Sequence, residues 1–217
     1  MVCHETYKDM DNNWVSPDEI ISQDGKKYLK KNPSVAIKVG PSESMSKSKK
    51  NTVDPENIIN HYGADSVRLF ILSDSPPEKD VQWSEEGIIA SFKFIQKLWG
   101  LNNKIKEEIN KNHKKDINAE LTKYTNKFIK KISENLENFH YNIIVANLHE
   151  MHSFINKEIG KGYQKKTILE NYEKILISMM PILPHLSNEC FVSLKKNNEY
   201  IVWPKFDEKL IREDTSI

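Results

Sequence analysis

The chain has 217 residues, of which 32 are Lys or Arg and 31 are Asp or Glu, so its formal net charge at pH 7 is +1. This balance excludes a strongly basic nucleic-acid-binding chain, and a mean hydropathy of −0.64 without a long apolar run excludes a membrane-spanning one. No signal peptide is visible, and two cysteines, Cys3 and Cys190, suit a reducing compartment. We therefore expect a cytoplasmic, monomeric protein.

The first 43 residues predict a small β-containing segment. Val35, Ile37 and Val39 alternate with polar or small residues, as in a short strand. Asp11-Asn-Asn13 offers a turn between the polar-aromatic stretch that ends at Lys8 and the pair Trp14-Val15. The segment leads directly into a polar loop.

Residues 44–52 combine cations with hydroxyl groups, a composition suited to phosphate. Three ammonium groups fall close together, on Lys47, Lys49 and Lys50. The hydroxyl groups are those of Ser44, Ser46, Ser48 and Thr52. Because no glycine lies between Gly40 and Gly63, side chains rather than backbone N–H groups must reach the phosphates, unlike in a Walker-type loop. On local composition alone, a solvated linker or a basic tail is the alternative interpretation.

Helix signals follow the loop at once. Asp54 suits an N-cap with Pro55 at the first helical position, and Gly63 is placed to end that helix. Asp65 is predicted to cap a second helix over 66–72. The Ser75-Pro-Pro77 break then separates this connector from a third helix, which Ser84 caps, so we expect a domain boundary over 73–84.

From Ser84 onward, apolar residues recur at helical spacing and predict a bundle of four or five amphipathic helices. The first stripe comprises Ile88, Phe92, Ile95, Leu98 and Trp99. The second comprises Leu121, Tyr124, Phe128, Ile132 and Leu136, and the third Ile144, Leu148, Met151 and Ile155. The fourth comprises Ile168, Leu169, Tyr172, Ile175, Leu176 and Met179, before a final helix to about Leu194. Gly160 and Gly162 are predicted to end the third helix.

The motifs in this order resemble the bacterial-type leucyl-tRNA synthetases, which are class I aminoacyl-tRNA synthetases. They are Met45-Ser-Lys-Ser48, Val53-Asp-Pro55, Tyr62-Gly-Ala-Asp65, Arg68-Leu-Phe70, Ser75-Pro-Pro-Glu78, Asp80 and Trp83-Ser84. The likeness extends over nearly the whole chain. It implies a mainly α fold: the end of a catalytic domain over 1–43, a signature-loop connector over 44–83, an antiparallel anticodon-binding helix bundle over 84–197, and an exit segment over 198–217 toward a further C-terminal domain.

The resemblance implies that this chain is the C-terminal portion of an enzyme that activates leucine with ATP and transfers it to tRNA(Leu). Its ATP-binding loop would be Ser44, Met45, Ser46, Lys47 and Ser48, with Lys47 stabilising the pyrophosphate leaving group and magnesium accompanying ATP. Ser44 replaces the family's first signature lysine, and Lys49 or Lys50 could supply the second cation. The family's His-x-Gly-His signature is absent. We therefore expect a fragment, truncated at both ends and inactive without the nucleotide-fold half.

Within the bundle, six lysines are candidates for contacts to tRNA phosphates: Lys127, Lys130, Lys131, Lys161, Lys165 and Lys166. A solvated helix face is the competing interpretation. His149 and His152 lack the spacing of a metalloprotease pair, so we predict no metal site there. Trp83, Trp99 and Trp203 are interpreted as core residues. A different class of function, a stand-alone RNA-binding module without catalysis, is the alternative hypothesis.

Overall fold

The computed structural model describes residues 1–111, 113–114, 119–194 and 201–212. Its N-terminal part holds two three-stranded sheets. The strands are β1 (Val2–Lys8), β2 (Ile20–Gln23), β3 (Lys26–Leu29), β4 (Asn32–Ala36), β5 (Lys38–Ser44) and β6 (Val81–Gln82). One sheet has the order β5-β1-β6, antiparallel between β1 and β5 and parallel between β1 and β6; the other is the antiparallel meander β2-β3-β4. Since β6 lies 37 residues beyond β5, the first sheet ties the loop between them to the start of the bundle.

A small apolar core of Tyr7, Val15 and Ile37 joins the two sheets. The predicted strand over 35–39 is in fact two strands, with Ile37 between them and pointing into this core, whereas Val39 is 45% exposed. The turn at 11–13 is confirmed, because Asn12 has a φ of 66° and the Asp9 carboxylate accepts hydrogen bonds from the N–H groups of Asp11 and Asn13.

Two short helices, α1 (Pro55–Tyr62) and α2 (Ala64–Ser73), follow the loop. The Asp54 carboxylate accepts a hydrogen bond from the Glu56 N–H, as expected of an N-cap. Gly63 ends α1 with a φ of 81°, a conformation that favours glycine. The prediction for α2 was wrong in one respect, since Gly63 takes the N-cap position and Asp65 lies inside the helix.

The bundle consists of α3 (Glu85–Ile109), α4 (Glu120–Glu137), α5 (Tyr141–Glu158), α6 (Lys165–Met179) and α7 (Pro184–Leu194), and α8 (Glu208–Arg212) packs on α4. The Ser84 cap of α3 is confirmed by a 3.0 Å hydrogen bond from the Gly87 N–H. The second, third and fourth apolar stripes all pack in or against one large core. A 3-10 turn, Ile159–Lys161, and the left-handed Gly162 follow α5 near the predicted end. The mainly α fold with a small β-containing entry is therefore confirmed.

The real role of Asp65 is to cap a different helix, α7. Its carboxylate accepts a 2.7 Å hydrogen bond from the Leu186 N–H and a 2.9 Å contact from the His185 ring. One turn later, the Arg68 guanidinium donates to the carbonyl groups of Pro181 and Ile182, at 2.7 and 3.1 Å. Helix α2 therefore stabilises the corner between α6 and α7. Asp65 binds N–H groups at the start of α7, and Arg68 binds carbonyl groups that follow α6.

The core interpretation of the tryptophans was wrong for two of three. Trp99 is 40% exposed and Trp203 is 39% exposed, the latter donating from its ring N–H to the Ser133 hydroxyl. Trp83 is half-buried and meets the Phe70 ring edge-on at 5.2 Å. Phe94, one helical turn from Leu98, is the aromatic side chain of α3 that enters the bundle core. In the described part of the chain, no helix is both long and apolar enough to cross a membrane.

Candidate functional site

The polar loop is held at both ends by regular structure. Strand β5 ends at Ser44, opposite Cys3 of β1. A 3-10 turn, Lys47–Lys49, follows, and Lys50 adopts the left-handed conformation with a φ of 52°. Helix α1 begins five residues later. The loop is therefore a short, turn-shaped projection from a sheet rather than an extended linker.

Asn51 fastens this projection, and sequence reasoning did not identify it. Its side chain is fully buried. The side-chain oxygen accepts from the Ser46 N–H at 2.8 Å, and the side-chain amide donates to the carbonyl groups of Glu43 at 3.1 Å and His4 at 3.2 Å. One amide thus joins both sides of the loop to strand β1. Since His4 is 47 residues away, nothing local in the sequence signals this role.

The three loop lysines have different surroundings. Lys49 forms an ion pair with Glu43, the acidic residue just before Ser44. Lys47 is exposed, and its ammonium group has no hydrogen-bond or ion-pair partner among the residues that the structure describes. Lys50 is also exposed. Hydrogen bonds from Asn13 and Asp11 lower the pKa of the Asp9 carboxyl, and the Lys50 charge lowers it further. Lys47 and Lys50 are therefore the cations available to an incoming anion.

The loop hydroxyl groups also differ in their surroundings. Ser46 and Ser48 lie on either side of Lys47, and their hydroxyl groups are 2.8 Å apart. Ser44 instead faces the sheet, where its hydroxyl lies 3.9 Å from the Cys3 sulfur. Ser44 therefore supplies neither charge nor an outward hydroxyl at the position where the resemblance expected a lysine. The structure brings Ser46, Lys47 and Ser48 together on one turn.

A cleft of about 500 Å³ lies between β1, β2 and the start of α3. Its walls include Lys27 and His4 but also four carboxylates, of Glu5, Asp18, Glu85 and Glu86. Lys27 donates to Glu5 at 2.7 Å and to the Tyr7 hydroxyl at 2.8 Å, and the Tyr7 hydroxyl in turn donates to Glu5 at 2.8 Å. The two hydrogen bonds that Glu5 accepts lower its pKa. A cleft with this excess of negative charge does not suit a polyphosphate. The loop contributes none of residues 44–50 to the cleft walls, and its charged side chains are all positive.

Most of the bundle lysines proposed for tRNA are already paired. Ion pairs join Lys130 to Glu208 at 3.4 Å, Lys131 to Glu150 at 3.2 Å, Lys161 to Glu158 at 2.6 Å and Lys166 to Glu170 at 3.8 Å. Lys127 also has an interaction partner. Lys165 is exposed and forms no ion pair within the described ranges. These contacts favour a solvated, internally neutralised face for α4 and α6.

Two family models match this chain. The one described as tRNA synthetases class I (I, L, M and V) matches residues 37–84, which contain the loop, α1 and α2. The one described as anticodon-binding domain of tRNA ligase matches residues 118–217, which contain α4 to α8. Together the two matches cover more than half of the chain.

Curated relatives match from end to end. The chain is 37% identical over 223 residues to leucine–tRNA ligase of Rickettsia massiliae, and 40% identical over 220 residues to that of Orientia tsutsugamushi, with 100% of this chain and 26% of each relative covered. Leucine–tRNA ligase of Bartonella quintana is 39% identical over 228 residues, with 99% and 26% covered. The chain therefore spans about a quarter of the length of the relatives it matches.

A solved structure shares the fold. It is the agnB2 LeuRS of Agrobacterium radiobacter K84 in a ternary complex with tRNA and LeuAMS, with a TM-score of 0.68 and 21% sequence identity. The match covers 77% of this chain and 23% of that one. The two family models and the curated relatives, which match this chain from end to end, show that it belongs to the class I tRNA synthetases and corresponds to about a quarter of a leucine–tRNA ligase.

Proposed function

We propose that this chain supplies the ATP-stabilising loop and the tRNA-binding bundle of a leucine–tRNA ligase. The proposal depends on the Lys47 ammonium, which has no partner among the described residues, and on the attachment of its loop to strand β1 by Asn51. A fixed loop with a free cation is prepared to meet negative charge with little reorganisation. The curated relatives are named leucine–tRNA ligases, so the proposed reaction is the ligation of leucine to tRNA(Leu), with ATP, leucine and tRNA(Leu) as substrates.

Lys47 would act on the leaving group. When the leucine carboxylate attacks the α-phosphorus of ATP, the bond to the β-phosphate oxygen breaks and pyrophosphate leaves with additional negative charge. An ammonium group placed at that oxygen stabilises the transition state more than the ground state. Ser46 and Ser48, on the same turn, can donate hydrogen bonds to the neighbouring phosphate oxygens.

The second cation of the site would come from Lys50 or Lys49. Lys50 is free to turn toward a phosphate, whereas Lys49 must first leave Glu43. Exchange of a surface ion pair for a phosphate contact costs little, because exposed pairs contribute only about 0–1 kcal/mol. Ser44 and Met45 would serve the site through their backbone position at the end of β5.

Magnesium does not find a ready site on this loop. Mg²⁺ is normally held by substrate phosphates together with one or two carboxylates. The Glu43 carboxylate, just before the loop, is paired with Lys49, and the described residues hold no group of three or more His, Cys, Asp or Glu side chains that could bind a metal. Magnesium would therefore come with ATP, held mainly by the ATP phosphates, and the lysines of this chain would act on the same phosphates.

The division into an entry segment over 1–43, a loop connector over 44–83, a bundle over 84–197 and an exit segment over 198–217 is part of the proposal. Support comes from α2, which contacts both α1 and the bundle and so connects the loop to the proposed RNA-binding part. The nucleotide fold with the His-x-Gly-His signature would be supplied by another part of the enzyme.

A hybrid enzyme tests this function. The matched quarter of the Rickettsia massiliae leucine–tRNA ligase is replaced by this chain, and leucine-dependent ATP–pyrophosphate exchange and tRNA(Leu) charging are measured. We expect both activities to stay within about tenfold of the parent enzyme, because the replaced part is homologous throughout. A folded hybrid with neither activity would refute the proposal.

A further inference from the structure

Helices α3 and α5 meet along an exposed line of polar side chains, here named the α3–α5 seam. It consists of Lys93, Lys97 and Lys104 of α3 and His149, His152 and Asn156 of α5. The Phe94 ring stacks on His149 at 3.7 Å, and two to three turns later the Lys104 ammonium donates to the Asn156 carbonyl at 2.9 Å. Residue numbers at successive contacts increase on both helices, so α3 and α5 run parallel. From Lys93 to Lys104 the seam is about 16 Å long.

Two lysines of the seam carry positive charge that is not matched by an ion pair to any described residue. Lys93 and Lys97 are exposed and form no ion pair in the part of the chain that the structure describes. Helix α3 has no acidic residue between Glu86 and Glu107. On α5, Glu150 is bound to Lys131 of α4 and so faces away from the seam. This pattern differs from the α4 and α6 faces, where Lys130, Lys131 and Lys166 are each paired with a carboxylate.

The two imidazole rings lie in fixed positions beside these lysines. His149 is held flat against Phe94, and His152 meets the same ring edge-on at 6.0 Å. Both rings lie near Lys97, and stacking on Phe94 holds the His149 ring in place before any ligand binds. Fixed hydrogen-bonding groups beside free ammonium groups form a surface that suits phosphate oxygens at regular intervals.

We propose that the α3–α5 seam is the surface on which the sugar–phosphate backbone of an RNA stem docks. This inference rests on the proposed tRNA-binding function and specifies which face performs it. Contacts to phosphates would be independent of base sequence and sensitive to salt, as expected for recognition of an RNA helix by its shape.

The test compares two double charge reversals in the full 217-residue chain. K93E/K97E changes the seam, whereas K165E/K166E makes the same change in net charge at the start of α6. Binding of a fluorescently labelled tRNA(Leu) transcript is measured by anisotropy at several salt concentrations. We expect K93E/K97E to weaken binding more than about tenfold and to reduce the salt slope by one to two units, whereas K165E/K166E changes affinity less than about threefold.

The possible outcomes distinguish a failure of the seam from a failure of tRNA binding. If the unchanged chain binds the transcript and K93E/K97E binds equally well, or if both variants lose affinity equally, the seam is not the docking surface although tRNA binding stands. If the unchanged chain does not bind, both the seam and the proposed tRNA function are contradicted. Thermal melting verifies folding, and K93Q/K97Q replaces the charge reversal if that variant unfolds.

Discussion

The bundle and the loop differ in what holds them. In the bundle, five helices surround one large apolar core in which Ile132, Ile144 and Leu148 are completely buried. In the entry segment, the two sheets share a core of three buried residues, and the loop itself is fixed by the hydrogen bonds of Asn51. The stabilising free energy of apolar burial grows with the buried area and is shared among many side chains, whereas the hydrogen bonds of one amide are all lost in one substitution. Stability therefore resides mainly in the bundle, and the shape of the proposed reactive site depends on few polar contacts.

The largest effect should come from the bundle core. Leu148→Ala removes a fully buried side chain from the packing of α5 and should lower the free energy of unfolding by about 2–5 kcal/mol. Denaturant unfolding followed by circular dichroism measures this loss. Ile143→Ala is the matched control on the same helix, because Ile143 is 43% exposed and its truncation should cost less than about 0.5 kcal/mol. Equal losses would show that the core is not where stability resides.

A smaller effect is expected where α2 joins the loop region to the bundle. Asp65→Ala leaves the Leu186 N–H without its acceptor, which should cost roughly 1–3 kcal/mol in unfolding free energy. Asp65→Asn keeps one acceptor oxygen and should recover part of the loss. If the alanine variant melts like the unchanged chain, the clamp on α7 does not stabilise the bundle.

Asn51→Ala should separate the two regions. The substitution leaves the Ser46 N–H and two carbonyl groups without partners, a local cost of roughly 1–3 kcal/mol. Hydrogen exchange at Ser46 and proteolysis of the loop should accelerate, while the melting of the bundle changes little. The control is Asn57→Ala, at an exposed helix position of α1. A cooperative loss of bundle stability with Asn51→Ala would show that Asn51 does not act on the loop alone.

The smallest effect concerns pH. Burial, followed by the nearby positive charges, lowers the pKa of His149 and His152 below the ordinary 6.5. The unfolded chain then binds protons more tightly than the folded chain, so these residues should reduce stability as pH falls through about 6.5. Melting temperatures between about pH 7.5 and 5.5 should fall less in the double variant His149→Gln, His152→Gln. An unchanged slope would show that neither ring is protonated on unfolding.

Sequence reasoning identified what depends on local signals. Asp54, Gly63 and Ser84 act at helix ends through their own backbone neighbours, and the apolar spacing of α4 to α6 fixes which side enters the core. Asp65 was misassigned because a good N-cap residue can cap a helix 120 residues away as well as its own. Trp99 follows the apolar spacing of α3 but lies at the edge of the stripe and is 40% exposed.

The site was only partly accessible to such reasoning. The cationic and hydroxyl composition located the loop, and the family resemblance singled out Lys47. Neither could show that Glu43 pairs with Lys49 or that Asn51 bonds to His4, because these contacts depend on how β1 and β5 lie side by side. Three similar lysines in the sequence thus differ only in the folded chain, where Lys49 is paired and the other two have no ion-pair partner among the described residues.

The central claim is that Lys47, rather than its paired neighbour, carries the proposed chemistry. The most direct measurement is leucine-dependent ATP–pyrophosphate exchange by the hybrid enzyme with Lys47→Ala or Lys49→Ala. We predict a loss of about 10²–10³ in kcat for Lys47→Ala, typical of a lost transition-state contact, and less than about threefold for Lys49→Ala. Full exchange activity with Lys47→Ala, or an equal loss in both variants, would contradict the account.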